Sequence, residues 1–211
     1  MTQMTPPPNA LFVAFEGGEG AGKSTQVTLL QQHLARLGRD VLVTFEPGDT
    51  LVGKRLRAIL LGHETGALAP QTEALLYAAD RAEHVATVIR PALADGTVVI
   101  TDRYIDSSLA YQGAGRELTV DEVATLSSWA TGDLVPGLTV LLDIDPDVGL
   151  RRFAEPTDRL EAEPLAFHRR VRQQFQDLAA LEPQRYVVID ASQSPERVHE
   201  EVLAAVEARL P

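Results

Sequence analysis

Short apolar runs recur along the chain, and between them the apolar positions return every three or four residues. Leu11-Phe12-Val13-Ala14-Phe15 has no polar residue before Glu16, which predicts a short buried strand, Leu11–Glu16. The same reasoning predicts buried strands at 40–45, 97–101, 138–144 and 186–190, the third running into Asp102-Arg103-Tyr104. Val27, Leu30, Leu34 and Leu37 predict a helix over about 22–37, stopped by Gly38. Pro47-Gly48 ends the second strand, 51–61 reads helical, 62–70 is a loop, and 71–94 is one long helix with a kink or break at Pro91. A helical turn from Ser107 leads to Gly113-Ala114-Gly115. Thr119 and Glu122 form a capping box opening a helix to about Ala130. Asp145-Pro146 caps a helix through Phe153, the pattern breaks over 154–163, a helix resumes over 164–181, and Ser194-Pro195 opens the last one.

Strands that alternate with helices, each strand nearly all apolar, predict an α/β fold: a five-stranded parallel sheet with helices on both faces, three layers in all. No Gly/Ser-rich linker or repeat divides residues 11–211, so a single domain is expected, preceded by a disordered tail over 1–10. In such a fold the functional groups gather at the carboxyl ends of the strands. Those ends are Glu16 onward, Glu46-Pro47, Asp102-Arg103 and 143–145.

Composition removes several alternatives. A hydrophobic content of 45% is enough for a substantial core, and no apolar run reaches membrane-spanning length. The Pro-rich start lacks the basic and apolar segments of a secretory signal. With no cysteine there is neither a disulfide nor a thiolate metal site, which is compatible with a reducing, cytoplasmic setting. A net charge of −11 argues against nucleic-acid and anionic-membrane partners, though not against a local site for small anions.

The chemistry begins after the first strand, at Gly17-Gly18-Glu19-Gly20-Ala21-Gly22-Lys23-Ser24-Thr25. Gly17, four residues, then Gly22-Lys23-Ser24 is the spacing of a phosphate-binding loop. Glycines let successive N–H groups turn inward toward phosphate oxygens, and the following helix presents its positive end. Lys23 can reach the β- and γ-phosphates of ATP, and the Ser24 hydroxyl can ligate Mg²⁺. The chain therefore reads as a nucleoside-triphosphate binder with a P-loop NTPase fold. The guanine-reading Asn-Lys-x-Asp tetrad is absent, which lowers the GTPase reading. At the third strand end, Arg103 can grip an acceptor phosphate and Asp102 can hold Mg²⁺ or position the acceptor.

With these residues in view the chain resembles bacterial thymidylate kinases, from about Leu11 to the C-terminal helix. The resemblance is carried by Glu19-Gly20-Ala21-Gly22-Lys23-Ser24, Glu46-Pro47-Gly48, the run from Leu75 through Tyr77, Asp80 and Arg81 to Val85, Asp102-Arg103-Tyr104, the run from Ser107 through Ser108, Tyr111 and Gln112 to Arg116, and Asp158-Arg159-Leu160-Glu161. It implies transfer of the γ-phosphoryl of ATP to dTMP, for dTTP synthesis, with Mg²⁺ as cofactor and a homodimer as the assembly. It also implies that Tyr77 stacks on thymine, Arg81 donates to a pyrimidine carbonyl, Ser108 and Gln112 complete the base pocket, and Tyr111 packs beneath the sugar. Glu19 would receive the sugar 3′-hydroxyl and Arg103 the acceptor phosphate, with Glu46 and Pro47 beside the substrate. A carboxylate inside an anion-collecting loop is otherwise an odd choice.

Three departures stand out. Phe45 precedes Glu46-Pro47 where arginine is common, and Asp49 replaces a glycine and is expected to face away from the phosphates. Gly20 leaves the loop without an arginine, so the catalytic cation is expected from a lid over 154–163, with Arg159 the first candidate, then Arg152. The alternatives are a deoxynucleoside kinase or other nucleoside monophosphate kinase, or a non-catalytic nucleotide-binding regulator.

Overall fold

The first apolar run forms β1 (Leu11–Glu16), with every side chain buried. Such a strand needs cover on both sides, and side-chain alternation feeds two separate apolar layers. Leu11, Val13 and Phe15 enter one cluster; Phe12 and Ala14 enter another on the opposite face. The structure is a computed structural model describing residues 9–115, 118–152 and 158–210. Among these, β1 is joined by β2 (Val41–Phe45), β3 (Val98–Asp102), β4 (Leu138–Asp143) and β5 (Tyr186–Asp190). All pairings are parallel and the order is β2-β3-β1-β4-β5.

The helices are α1 (Lys23–Arg36), α2 (Leu51–Leu61), α3 (Pro70–His84), α4 (Arg90–Ala94), α5 (Ile105–Ser108), α6 (Val120–Thr131), α7 (Pro146–Leu150), α8 (Leu165–Leu181) and α9 (Pro195–Glu207). Val27, Leu30 and Leu34 of α1 and Val198, Val202 and Val206 of α9 close one face of the sheet. On the other face, Val85, Ile89 and Leu93 cover Phe12 and Val99, while α8 brings Phe167, Val171 and Phe175 to Leu141. The sequence-predicted caps form: Thr119 with Glu122 is a capping box, and Asp145 and Ser194 each accept a backbone N–H of the following helix. No helix among the described residues is long and apolar enough to cross a membrane.

Several expectations need correction. The second strand is not fully buried, because it lies at the sheet edge: Val41, Leu42 and Val43 are half-buried and Phe45 is exposed. The expected long helix over 71–94 is α3, a π-helical turn at Val85–Ile89, and α4. Pro91 cannot donate to a carbonyl four residues back, and its ring would clash there. The widened turn ahead of it, where Arg90 N–H bonds to Val85 O, accommodates the proline without a chain break. A second π-helical segment, Leu109–Ala114, continues α5 toward Gly115. The expected tail over 1–10 lies outside the described residues through position 8. Phe153 and positions 154–157 of the expected lid lie outside them as well.

Topology then fixes where a ligand enters. From β1 the chain crosses to β2 on one side, and from β3 it crosses to β4 on the other. The crevice beyond the carboxyl ends of β1 and β3 is therefore the topological switch point. Register pairs Phe15 with Asp102, and Phe45 with the same Asp102, so the segments after β1, β2 and β3 start level with one another. Ile100 is fully buried in the middle of this sheet. Ile100→Ala should lower unfolding free energy by about 2–5 kcal/mol in urea denaturation, and a loss under about 1 kcal/mol would contradict the packing described.

Candidate active site

The loop after β1 is shaped by close backbone approaches. Gly17 has φ 139°, and a β-carbon there would lie 2.4 Å from the Leu142 carbonyl oxygen. Gly20 has φ 70°, and its β-carbon would lie 2.1 Å from the Gly149 carbonyl oxygen. Both positions thus demand glycine on conformation and on space. The same contact explains why no arginine stands at position 20: the loop is pressed against α7. Lys23, nearly buried, donates from Nζ to Gly17 O and Gly18 O at 3.0 Å each. Burial lowers its pKa, and Arg103 adds to that effect.

Ser24 Oγ donates to Asp102 Oδ2 at 2.9 Å, uniting the two predicted metal ligands across the β1–β3 seam. Among the described residues no group of three or more His, Asp or Glu forms a protein-only metal cage. One hydroxyl and one carboxylate beside a phosphate loop fit Mg²⁺, which keeps several waters and takes the rest of its ligands from substrate phosphates.

Beside this pair lies a cluster built on Arg103. Its Nη2 donates to Glu19 Oε1 at 2.6 Å, its Nη1 donates to Ser107 Oγ at 3.1 Å, and the guanidinium lies over the Tyr111 ring at 5.0 Å. Tyr111 OH also donates to Glu19 Oε1, at 2.8 Å. Burial alone would raise the pKa of Glu19, but Arg103, then Lys23 and the Tyr111 hydroxyl, hold it down at about 2. Arg103 has φ 70°, a region that residues with a β-carbon seldom occupy. Its N–H is tied to Phe15 O at 2.9 Å and its carbonyl accepts from Thr101 Oγ1 at 2.9 Å.

These groups open onto one cleft of about 600 Å³. At one end Tyr77, Arg81, Ser108 and Gln112 gather with Glu46 and Pro47. Arg81 is buried and fully oriented: Nε donates to Glu46 Oε2 at 2.7 Å, Nη1 to Ser108 Oγ at 3.1 Å, and Nη2 to Tyr104 O at 3.0 Å. Gln112 Nε2 donates to Glu73 Oε1 at 3.0 Å. At the other end Arg152 spans two carbonyls, Gly20 O at 2.7 Å and Ala191 O at 3.1 Å, close to Gln26 and Pro195.

The structure brings the predicted site residues to this cleft except Gly17 and Gly18, whose carbonyls accept from Lys23 Nζ, and Arg159. Arg159 turns elsewhere: it donates to Leu60 O at 3.0 Å and pairs with Glu73, so here it braces α2 and α3 and does not reach the phosphate loop. Asp49 does face away from the cleft, accepting from Thr44 Oγ1 at 2.5 Å. Arg57 was missed by sequence reasoning. It lines the cleft, stacks 5.8 Å from the Phe45 ring and donates to Pro47 O at 2.7 Å, returning a cation to the place where Phe45 removes one. Its signal was faint, a polar position two turns into an amphipathic helix. Glu73 and Glu16 were missed too, because a buried carboxylate and a solvated one look alike in sequence.

The thymidylate kinase family model matches residues 15–202. A thymidylate kinase of Bifidobacterium longum subsp. infantis is 54% identical over 205 residues, covering 96% of this chain and 88% of its own. One of Leifsonia xyli is 53% identical, covering 95% of this chain and 96% of its own. The crystal structure of an Ehrlichia chaffeensis thymidylate kinase superposes with a TM-score of 0.77 at 33% identity, covering 94% of this chain and 99% of its own.

Asp80 gives a pH signature for the wall of the cleft. It accepts from Gly48 N–H at 3.1 Å, and burial, with Glu46 nearby, raises its pKa from 3.8 to about 6. Between those values the folded protein holds a proton that the unfolded chain releases, so stability falls as pH rises through this window. Asp80→Asn keeps an acceptor and removes the titration. Its stability relative to the parent, by thermal denaturation, should therefore improve as pH rises through that interval, and a difference flat in pH contradicts the reading.

Proposed function

This chain belongs to the thymidylate kinase family, and on that premise we propose that it transfers the γ-phosphoryl group of ATP to dTMP, giving dTDP and ADP. The observation that carries the reading is one cleft holding a phosphate loop and the Arg103–Glu19–Tyr111 cluster face to face. The triphosphate takes the backbone N–H groups of residues 17–25 and the Lys23 ammonium, which exchanges its two carbonyl partners for phosphate oxygens. The dTMP phosphate takes the Arg103 fork, with Arg57 as a second cation. Glu19, ionised and aimed by two donors, accepts the sugar 3′-hydroxyl, and Tyr111 lies beneath the sugar.

Thymine enters the end walled by Tyr77. The Arg81 guanidinium is aimed by Glu46, Ser108 and Tyr104, so its remaining N–H groups meet a pyrimidine carbonyl without further ordering. Gln112, anchored through Nε2 on Glu73, offers its amide oxygen to the base N3–H. In the transfer, a phosphate oxygen of dTMP forms a bond to the γ-phosphorus while the bond to the β–γ bridging oxygen breaks, and ADP leaves with that electron pair. The attacking oxygen is already anionic at neutral pH, so no strong general base is required. Mg²⁺ held by Ser24 and Asp102 would supply charge neutralisation on the phosphates.

For the catalytic cation the order of the two candidates reverses: Arg152 bridges the phosphate loop and the strap after β5, while Arg159 is held by Leu60 and Glu73. The proposed pairing of two copies is supported by the exposure of Leu51 of α2, Leu75 of α3 and Trp129 of α6, helices that pack side by side.

An ADP-release assay across dTMP, dUMP, dCMP, dAMP, dGMP and thymidine tests the reading. Turnover should be fastest with dTMP and absent with thymidine; equal rates on all monophosphates would sink the thymine pocket, and preference for thymidine would make the protein a nucleoside kinase. Arg152→Ala should lower kcat about 100-fold or more, and Arg159→Ala far less. A larger kcat loss from Arg159→Ala would restore the opposite assignment.

A further inference from the structure

We infer that Glu16 is the positioning residue for Arg103, a buried carboxylate that fixes both the main chain and the guanidinium of that arginine. The inference rests on the proposed role of Arg103 as the clamp on the acceptor phosphate.

Glu16 ends β1 and has no exposed surface, so it cannot touch a substrate. Among the described residues, its three side-chain hydrogen bonds all go to the segment carrying Arg103. Tyr104 N–H donates to Oε1 at 2.8 Å, Ser107 N–H to Oε1 at 3.2 Å, and Ser107 Oγ to Oε2 at 2.5 Å. The first of these matters because Arg103 has φ 70°, an unfavourable conformation for a residue with a β-carbon. Such a conformation persists only when its surroundings over-determine it. Here the Arg103 N–H is held by Phe15 O, its carbonyl by Thr101, and the next N–H by Glu16.

The second effect works through Ser107. A hydroxyl has one proton, and Ser107 directs it to Glu16 Oε2. Its lone pairs are then left facing Arg103, whose Nη1 donates to Ser107 Oγ at 3.1 Å. Glu16 therefore sets the polarity of the serine, and the serine sets one arm of the guanidinium while Glu19 sets the other. The arginine is held between two carboxylates of different duty: Glu19 faces the cleft and is available to substrate, and Glu16 is sealed behind it. Burial, followed by the nearby Asp106, raises Glu16 to about 7, against the pull of Ser107, Arg103 and the Tyr104 N–H. A carboxylate kept in so unfavourable a place is typical of functional machinery.

The test is calorimetric binding of dTMP, thymidine and ATP to the full chain and three variants. Glu16→Gln keeps the shape but turns an amide nitrogen or a neutral oxygen toward Ser107, and Ser107→Ala cuts the link to the guanidinium alone. Both should weaken dTMP binding by about tenfold while thymidine and ATP stay within about twofold, because only the phosphate of dTMP meets Arg103. If dTMP and thymidine weaken equally, or dTMP does not weaken, Glu16 is scaffold only and the inference is overturned. Arg103→Lys separates the two layers. Unchanged dTMP affinity there overturns the phosphate-clamp assignment itself, whereas loss there with full affinity in the other two variants overturns only the role of Glu16. Should Glu16→Gln fail to fold, Ser107→Ala decides alone.

Discussion

Parallel pairing of β1 with β3, with Phe15 beside Asp102, is the contact on which the site depends. The phosphate loop and the Asp102-Arg103 turn are far apart in sequence, and this register sets them at one height on either side of a single seam. Three of the side-chain links that cross it are Ser24 to Asp102, Glu19 to Arg103, and Glu16 to the backbone of Tyr104. Each joins the end of β1 or the loop after it to the segment that carries Arg103. A slip of the pairing by one residue would invert every inward side chain and break all three together.

The electrostatics of the cleft follow from that seam. An anion site needs cations, yet buried cations without partners are costly. The fold answers by pairing them internally. Lys23 rests on two loop carbonyls, Arg103 on Glu19 and Arg81 on Glu46, while the exposed Arg152 donates to the Gly20 and Ala191 carbonyls. Substrate phosphates can replace carbonyl partners as stronger acceptors, while the carboxylate partners remain and aim the guanidinium groups. A chain with a net charge of −11 can thus bind two highly anionic nucleotides, because the relevant charges are local and oriented.

Much of this was legible in the residues. The glycine spacing announced the phosphate loop, apolar runs announced the five strands, and Thr119/Glu122, Asp145 and Ser194 announced helix starts, because each signal is local. What needed neighbours was not legible. The half-exposure of β2 depends on its place at the sheet edge, and the π turn before Pro91 depends on how a long helix accommodates a proline against the core. Arg152 and Arg159 read alike in sequence, and only packing shows that one reaches Gly20 O and the other Leu60 O. Glu16 looked like a strand-end acid among several; its sealed position behind Arg103 is a property of the sheet and α5 together.

The proposed transfer requires one cleft to seat donor and acceptor end to end, with their phosphates meeting between Lys23 and Arg103. The most direct test is the affinity of a single molecule in which adenosine and thymidine are joined through a shared run of phosphates. Both ends should engage at once, so it should bind at least about 100-fold more tightly than ADP or dTMP alone and be displaced competitively by either. Affinity no greater than that of ADP, with no displacement by dTMP, would contradict the account.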